Sequence, residues 1–157
     1  MLLIDQDFLP QATSLIKMAT SHICISTFKA EISPQPRGRR IFAFFKTLYE
    51  KHKSGVKVDF LLNWNSQHRA VPTCNTLTLR ELKAQGINIR TLPNNRCCHA
   101  KIILVDNAKA IVGSHNLSIA STRKNFETSY LITNKVSIYR LASVFKHNLE
   151  NSTTPKI

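Results

Sequence analysis

Three groups on one short stretch of this chain could do chemistry together: His99-Ala100-Lys101, then Asp106, then Gly113-Ser114-His115-Asn116. As a pattern this is H-x-K-x4-D-x6-G-S-x-N. A neutral imidazole can attack phosphorus and form a covalent phosphohistidine. Lys101 supplies a point charge for the non-bridging oxygens. Ser114 and Asn116 add a hydroxyl and an amide for the same oxygens, and donors placed in advance stabilise the charge that builds up in the transition state. Together these are the parts needed to break a phosphodiester without a metal. On a strand, residues i and i+2 share a face, so His99 and Lys101 point the same way. Gly113 lets the backbone approach closely. Asp106 stands about 20 Å along the strand and turn from His99, at ~3.3 Å per residue, and reads as a turn or structural residue.

The elements that must position these groups alternate between helical and extended patterns. Residues 7–21, 39–53, 75–85 and 136–149 carry apolar side chains at helical spacing. Gly55 and Gly86 follow the second and third as stops. Residues 22–28, 56–62, 87–92, 100–105, 110–113 and 127–133 read as strands, with 106–109 as a turn. The run 100–105 is almost wholly apolar, as expected for a strand buried on both faces. Strands separated by helices imply crossovers and a parallel sheet. The expected fold is therefore α/β: a mixed, largely parallel central sheet with helices on both faces. The chain of 157 residues reads as one domain with a core over about 5–149; 150–157 is expected to fray.

Charge narrows the partners. The chain holds 22 lysines and arginines against 9 acids, a formal charge of +13, within an ordinary globular balance of 43% apolar residues. Such a field attracts polyanions, nucleic acid foremost. No apolar run is long enough to span a membrane, and the N-terminus carries Asp5 and Asp7 where a signal peptide needs bases, which gives a cytoplasmic expectation. Cys24, Cys74, Cys97 and Cys98 show no C-x-x-C spacing. Cys97 and Cys98 adjoin His99, but neighbours on extended chain point to opposite faces, a poor chelate. Reduced thiols and no metal site are expected.

The motif resembles the HKD motif of the phospholipase D superfamily, and the pattern is closest to the small phospholipase D-like endonucleases. The 23–28, 55–59 and 86–90 segments look like the corresponding strands of single-motif members. The resemblance implies a phospholipase D-like fold and a metal-independent phosphodiesterase without a cofactor. His99 would be the nucleophile, with Lys101, Ser114 and Asn116 on the phosphate. It also implies a role for Glu127, in Asn125-Phe126-Glu127: hydrogen bonding to the nucleophilic histidine through its other nitrogen, as the orienting acid of a triad does. Family members use two motif histidines, one to attack and one to protonate the leaving oxygen. This chain has a single motif, and His22, His52, His68, His115 and His147 lack its followers. A homodimer would bring two copies of His99 together; the alternative is that the chain is one half of a heteromer or a fragment.

The substrate is argued from basic residues. Arg37, Arg39 and Arg40 stand at a loop and helix start. Arg69 shares a polar loop with Trp64 and His68, where an exposed ring could stack on a base. Arg123 and Lys124 follow the motif. The expectation is a nuclease acting on DNA or RNA. The alternatives are a phospholipase D or cardiolipin-type lipid hydrolase, for which apolar surface loops would be expected, and a non-catalytic nucleic-acid-binding module.

Overall fold

A computed structural model describes residues 1–33, 35–64, 72–94 and 96–155. Seven strands form one sheet: β1 (Leu2–Ile4), β2 (His22–Thr27), β3 (Lys57–Leu62), β4 (Asn88–Arg90), β5 (Lys101–Val105), β6 (Lys109–Gly113) and β7 (Thr128–Ile132). Their order across the sheet is β1-β7-β6-β5-β2-β3-β4. Five α-helices accompany them: α1 (Phe8–Lys17), α2 (Arg39–Lys53), α3 (Pro72–Ala84), α4 (Ile119–Arg123) and α5 (Lys135–Glu150).

Alternation along the strands sorts their side chains onto two faces. Ile23, Ile25, Val58, Phe60, Leu62, Ile103 and Val105 pack with Leu15 and Ile16 of α1, Phe44, Phe45 and Leu48 of α2, and Leu79 and Leu82 of α3. Cys24, Leu61, Leu104 and Ala110 point to the other side, where Ile138 and Phe145 of α5 meet them. Helices thus cover both faces, and the sheet is mixed as expected.

The parallel share is smaller than expected. β2, β3 and β4 pair in parallel, whereas β5 runs antiparallel to β2, and β5, β6, β7 and β1 continue antiparallel. Parallel pairing needs a crossover, usually a helix. α2 and α3 provide it for the first three strands, while β4–β5 and β5–β6 are joined without one. The stretch after α5, expected to fray, is instead held: Thr153 bridges Thr91 through two backbone hydrogen bonds of 2.8 Å, and Arg90 donates to Ser152 and Thr154.

Gly113 ends β6 against β7. A Cβ there would lie 2.2 Å from Ser129 Oγ and 2.4 Å from both Ser129 Cα and the Thr128 carbonyl oxygen. The close approach expected at Gly113 is therefore to the neighbouring strand. Gly113→Ala is expected to destabilise the fold by about 3 kcal/mol, because two of the three clashing atoms are backbone and cannot swing away. Urea unfolding measures this. A loss under about 0.5 kcal/mol, the range of an ordinary surface change, would contradict it.

Candidate active site

β5 sets the two ends of the problem apart. Its first residue is Lys101, with His99 two residues earlier, and Asp106 follows its last. Because β5 is antiparallel to β2, with Ser26 opposite Ile102, the His99 end lies at the carboxyl ends of β2 and β3. The turns after β6 and β2 close around the same point.

His99 is exposed, but the chain on either side of it is pinned. The Cys98 amide donates to Asn63 Oδ1 at 2.9 Å, and Ser26 Oγ donates to the Ala100 carbonyl at 3.0 Å. The ring leans on Phe28, with centroids 5.1 Å apart. Lys101, only 9% exposed, turns back to donate to the His99 carbonyl at 2.7 Å. Its Nζ stands 3.0 and 3.2 Å from the two ring nitrogens, so the pair shares one face as expected. Burial pushes the Lys101 ammonium below the ordinary lysine range, against the opposing pull of the Glu127 carboxylate and the nearby Cys97 and Cys98.

Asn116 is oriented by its oxygen. Oδ1 accepts from the Lys29 amide at 3.0 Å and from Thr27 Oγ1 at 3.3 Å. The amide NH2 is thereby set as the free, donating end. The Asn116 backbone amide donates to Ser121 Oγ at 2.8 Å, and Ser121 passes its own proton to Glu127 Oε1 at 2.8 Å. Asn125 donates to the same oxygen at 3.1 Å, and Ser114 Oγ donates to Glu127 Oε2. Burial alone would raise the Glu127 carboxyl; the donors Ser114, Asn125 and Ser121 outweigh it and hold the group below its usual range.

His99, Lys101, Ser114, Asn116 and Glu127 all line one open cleft of about 550 Å³. Within one chain Glu127 makes no hydrogen bond to His99. Among the described residues the carboxylate's side-chain partners are Ser114, Ser121 and Asn125. Glu127 therefore organises the Ser114–Asn116 wall within this chain. Ser121, Ser26, Thr27 and Asn63 are not legible as site residues: the last three act through hydrogen bonds between segments far apart in sequence, and Ser121 through bonds to Asn116 and Glu127 that carry no motif signal.

The remaining candidates lie elsewhere. Trp64 packs half-buried against the core on the α1–α3 side. Arg69 and His68 lie outside the described residues. Arg123 and Lys124 are exposed at the end of α4. His115 is only 2% exposed and stacks on Phe8 at 4.4 Å. Its Nε2 donates to the Asp5 carbonyl at 3.0 Å, and Nδ1 meets Ser129 Oγ at 2.8 Å. Burial lowers its pKa, and both ring nitrogens are engaged away from the cleft.

Asp106 sits at the far end of β5 in the left-handed region, φ 52°. Its carboxylate accepts from the amides of Thr20, Ser21 and His22 and from both hydroxyls of Thr20 and Ser21, at 2.8–2.9 Å. Partial burial would raise this carboxyl, but the donors of His22, Thr20 and Ser21 overwhelm it and hold it far below the usual range. A depressed folded pKa contributes stability that is complete above the unfolded value of about 4 and fades as pH falls further. Asp106→Asn is expected to cost about 2 kcal/mol at neutral pH. The gap between wild type and variant should narrow at about pH 3. An equal gap at both pH values in urea titrations would contradict this.

Cys97 is exposed and Cys98 buried, and all four cysteines are free thiols. Opposite facing was the reason for doubting a chelate at Cys97-Cys98-His99. Among the described residues the one group of three potential metal ligands is His22, Cys24 and Asp59. There Lys57 Nζ already stands 2.9 Å from Asp59 and His22 Nε2 2.7 Å, an ion network complete in itself. No helix among the described residues is long and apolar enough to cross a membrane.

Known proteins resemble this chain at two scales. The backbone superposes on that of the phospholipase D family member Nuc from Salmonella typhimurium with a TM-score of 0.81, over 99% of this chain and 97% of that one, at 19% identity. NucT from Helicobacter pylori gives 0.79, over 98% and 96%, at 17% identity. By sequence, the chain is 26% identical over 110 residues to cardiolipin synthase 1 of Staphylococcus epidermidis, covering 70% of this chain but only 22% of that protein. This chain therefore spans about a fifth of the length of the curated relatives it matches. The model of a family described as "Cardiolipin synthase, PLD-like domain" matches residues 12–149. With that match over most of its length, the chain belongs to the phospholipase D-like family, whose members cleave or transfer phosphodiesters.

Proposed function

We propose that this chain is a metal-independent phosphodiesterase that cleaves nucleic acid, as a homodimer whose two copies of His99 face one phosphate. The observation that carries the reading is the cleft, in which one exposed histidine stands beside a lysine and the Asn116 amide, with the Ser114 hydroxyl committed to Glu127. His99 attacks phosphorus, and a nitrogen–phosphorus bond forms as the bond to the leaving oxygen breaks. That oxygen takes its proton from the partner's His99. Water then attacks the phosphohistidine, loses its proton to the same partner imidazole, and releases the phosphate and the first histidine. Lys101 and the Asn116 amide hold the non-bridging oxygens throughout. His115, spent on Asp5 and Ser129, cannot serve as the second acid, which favours a second copy of the chain.

The charge of +13 favours a polyanionic substrate. A second reading, hydrolysis or transfer at a cardiolipin-type lipid, is favoured by the names of the curated relatives. Cleft chemistry supports independence from metal: among its lining residues Glu127 is the single carboxylate, with no second acid beside it to hold a divalent cation. The test is one assay, in excess chelator, on plasmid, single-stranded DNA, RNA and cardiolipin vesicles side by side. Nucleic-acid cleavage is expected to persist in chelator and to weaken steeply as salt rises. Activity that vanishes in chelator and returns with added metal would overturn the metal-independent reading. Turnover of cardiolipin alone would establish the lipid reading, and salt-dependent binding without any turnover would make the chain a binding module.

A further inference from the structure

Beside the cleft lies a second hollow whose chemistry the mechanism does not use. Gln6, Pro36 and four arginines, Arg37, Arg39, Arg40 and Arg123, line a depression of about 360 Å³. They come from three separate parts of the chain: the turn before α1, the segment entering α2, and the end of α4. All four arginines are exposed. Among the described residues the ion pairs are His22–Asp59, Lys57–Asp59 and Lys146–Glu150, so none of the four has a carboxylate partner. Arg123 Nη1 donates to the Arg37 carbonyl at 3.2 Å, and Arg40 Nη1 to Gln6 Oε1 at 3.4 Å. Four like charges held together without a counter-charge repel one another, and an anion among them relieves that repulsion. The guanidinium fork matches phosphate oxygens in particular.

The hollow is coupled to the catalytic wall. Asp5, adjacent to Gln6, accepts from the Glu127 amide at 2.8 Å. Glu31, on the segment that leads to Arg37, accepts from the Ile119 amide at the start of α4 at 3.1 Å. Its own amide donates to the Leu117 carbonyl at 2.8 Å. Gly38, between Arg37 and Arg39, lies so close to Ser33 that a Cβ would meet its carbonyl oxygen at 2.6 Å. The arginines are thus carried by backbone that is packed and bonded to the motif segment.

We infer that this hollow is a second phosphate site, gripping a phosphate of a nucleic-acid strand that flanks the one presented to His99. A polymeric diester offers flanking phosphates on both sides of the reacting one; phosphatidylglycerol offers none and cardiolipin a single second diester. The inference rests on the nucleic-acid reading above and sharpens it.

The test reads binding, so that cleavage cannot confuse it. In the His99→Ala background, the pair Arg37→Gln and Arg40→Gln is compared with the pair Lys135→Gln and Lys146→Gln, exposed cations on α5 that remove the same charge. Fluorescence anisotropy follows a labelled short single-stranded DNA across a salt series. The arginine pair is expected to weaken binding by about tenfold or more and to flatten the log–log salt slope by about 1.4, two contacts at about 0.7 each. The lysine pair should change affinity by less than about threefold. An arginine pair no weaker than the lysine pair overturns the inference. So does a parent protein that fails to bind the oligonucleotide, or an arginine pair that loses only binding to phosphatidylglycerol vesicles. If the arginine pair weakens binding as expected while His99-intact protein cleaves no nucleic acid, the phosphate site stands and the nuclease reading falls.

Discussion

His99→Ala is expected to lower turnover of a nucleic-acid diester by about ten-thousandfold or more, while leaving the fold and oligonucleotide binding largely intact. The size follows from the role: removing a nucleophile removes the covalent route altogether, and what is left is the modest help of bound donors. The fold is spared because the His99 side chain is exposed and contributes to no core cluster. In a shared site each reaction needs the imidazole of both chains. An excess of His99→Ala chains, allowed to exchange with wild type, should therefore suppress wild-type activity well beyond dilution. Activity that falls only in proportion to the wild-type fraction would mean that one chain works alone. The second acid would then have to be sought in His68, since His115 has both nitrogens engaged.

Lys101→Met should lower kcat by about a hundredfold or more, the loss typical of one prepositioned donor to a developing oxyanion. The expected loss falls on kcat more than on KM, because the negative charge on the phosphoryl oxygens is gathered most tightly in the transition state. Lys101→Arg should not restore activity. The side chain is 9% exposed and its Nζ reaches the His99 carbonyl at 2.7 Å, a space that fits an ammonium and not a planar guanidinium. Steady-state kinetics on the three proteins reads this directly. An arginine variant near wild-type rate would show that charge alone suffices and that the tight fit beside His99 is incidental.

How much of this was legible in the sequence depended on the range of the interaction. β2, β3 and β5 read clearly, because each is rich in apolar and β-branched residues and is buried on both faces. The direction of β5 did not, since its antiparallel pairing with β2 is set by the lack of a helix between β4 and β5, a weaker signal than the apolar run itself. β1 and α4, of three and five residues, are too short to show a period. The tail was misread because what holds it is Arg90 and a single bridge to Thr91, pairings of residues some sixty apart. His99, Lys101, Ser114 and Asn116 were legible through their resemblance to the HKD motif, and the fold brings all four to one cleft. The residues that aim them were not: Asn63, Ser26, Thr27 and Ser121 are ordinary polar residues until the fold brings them under the site. Glu127 reads from the motif's surroundings, but its partners within the chain, Ser114, Ser121 and Asn125, do not. A motif indicates which groups meet, whereas two serines and an asparagine decided where its oxygens point.

If His99 becomes covalently bonded to phosphorus, rapid acid-free quenching of wild-type protein during turnover of a short oligonucleotide, followed by intact mass and peptide mapping, should trap it. A phosphonucleotide adduct is expected on the peptide carrying His99, formed in chelator and absent from the His99→Ala protein. Turnover at full rate with no adduct on that peptide, or an adduct that maps to another residue, would contradict it.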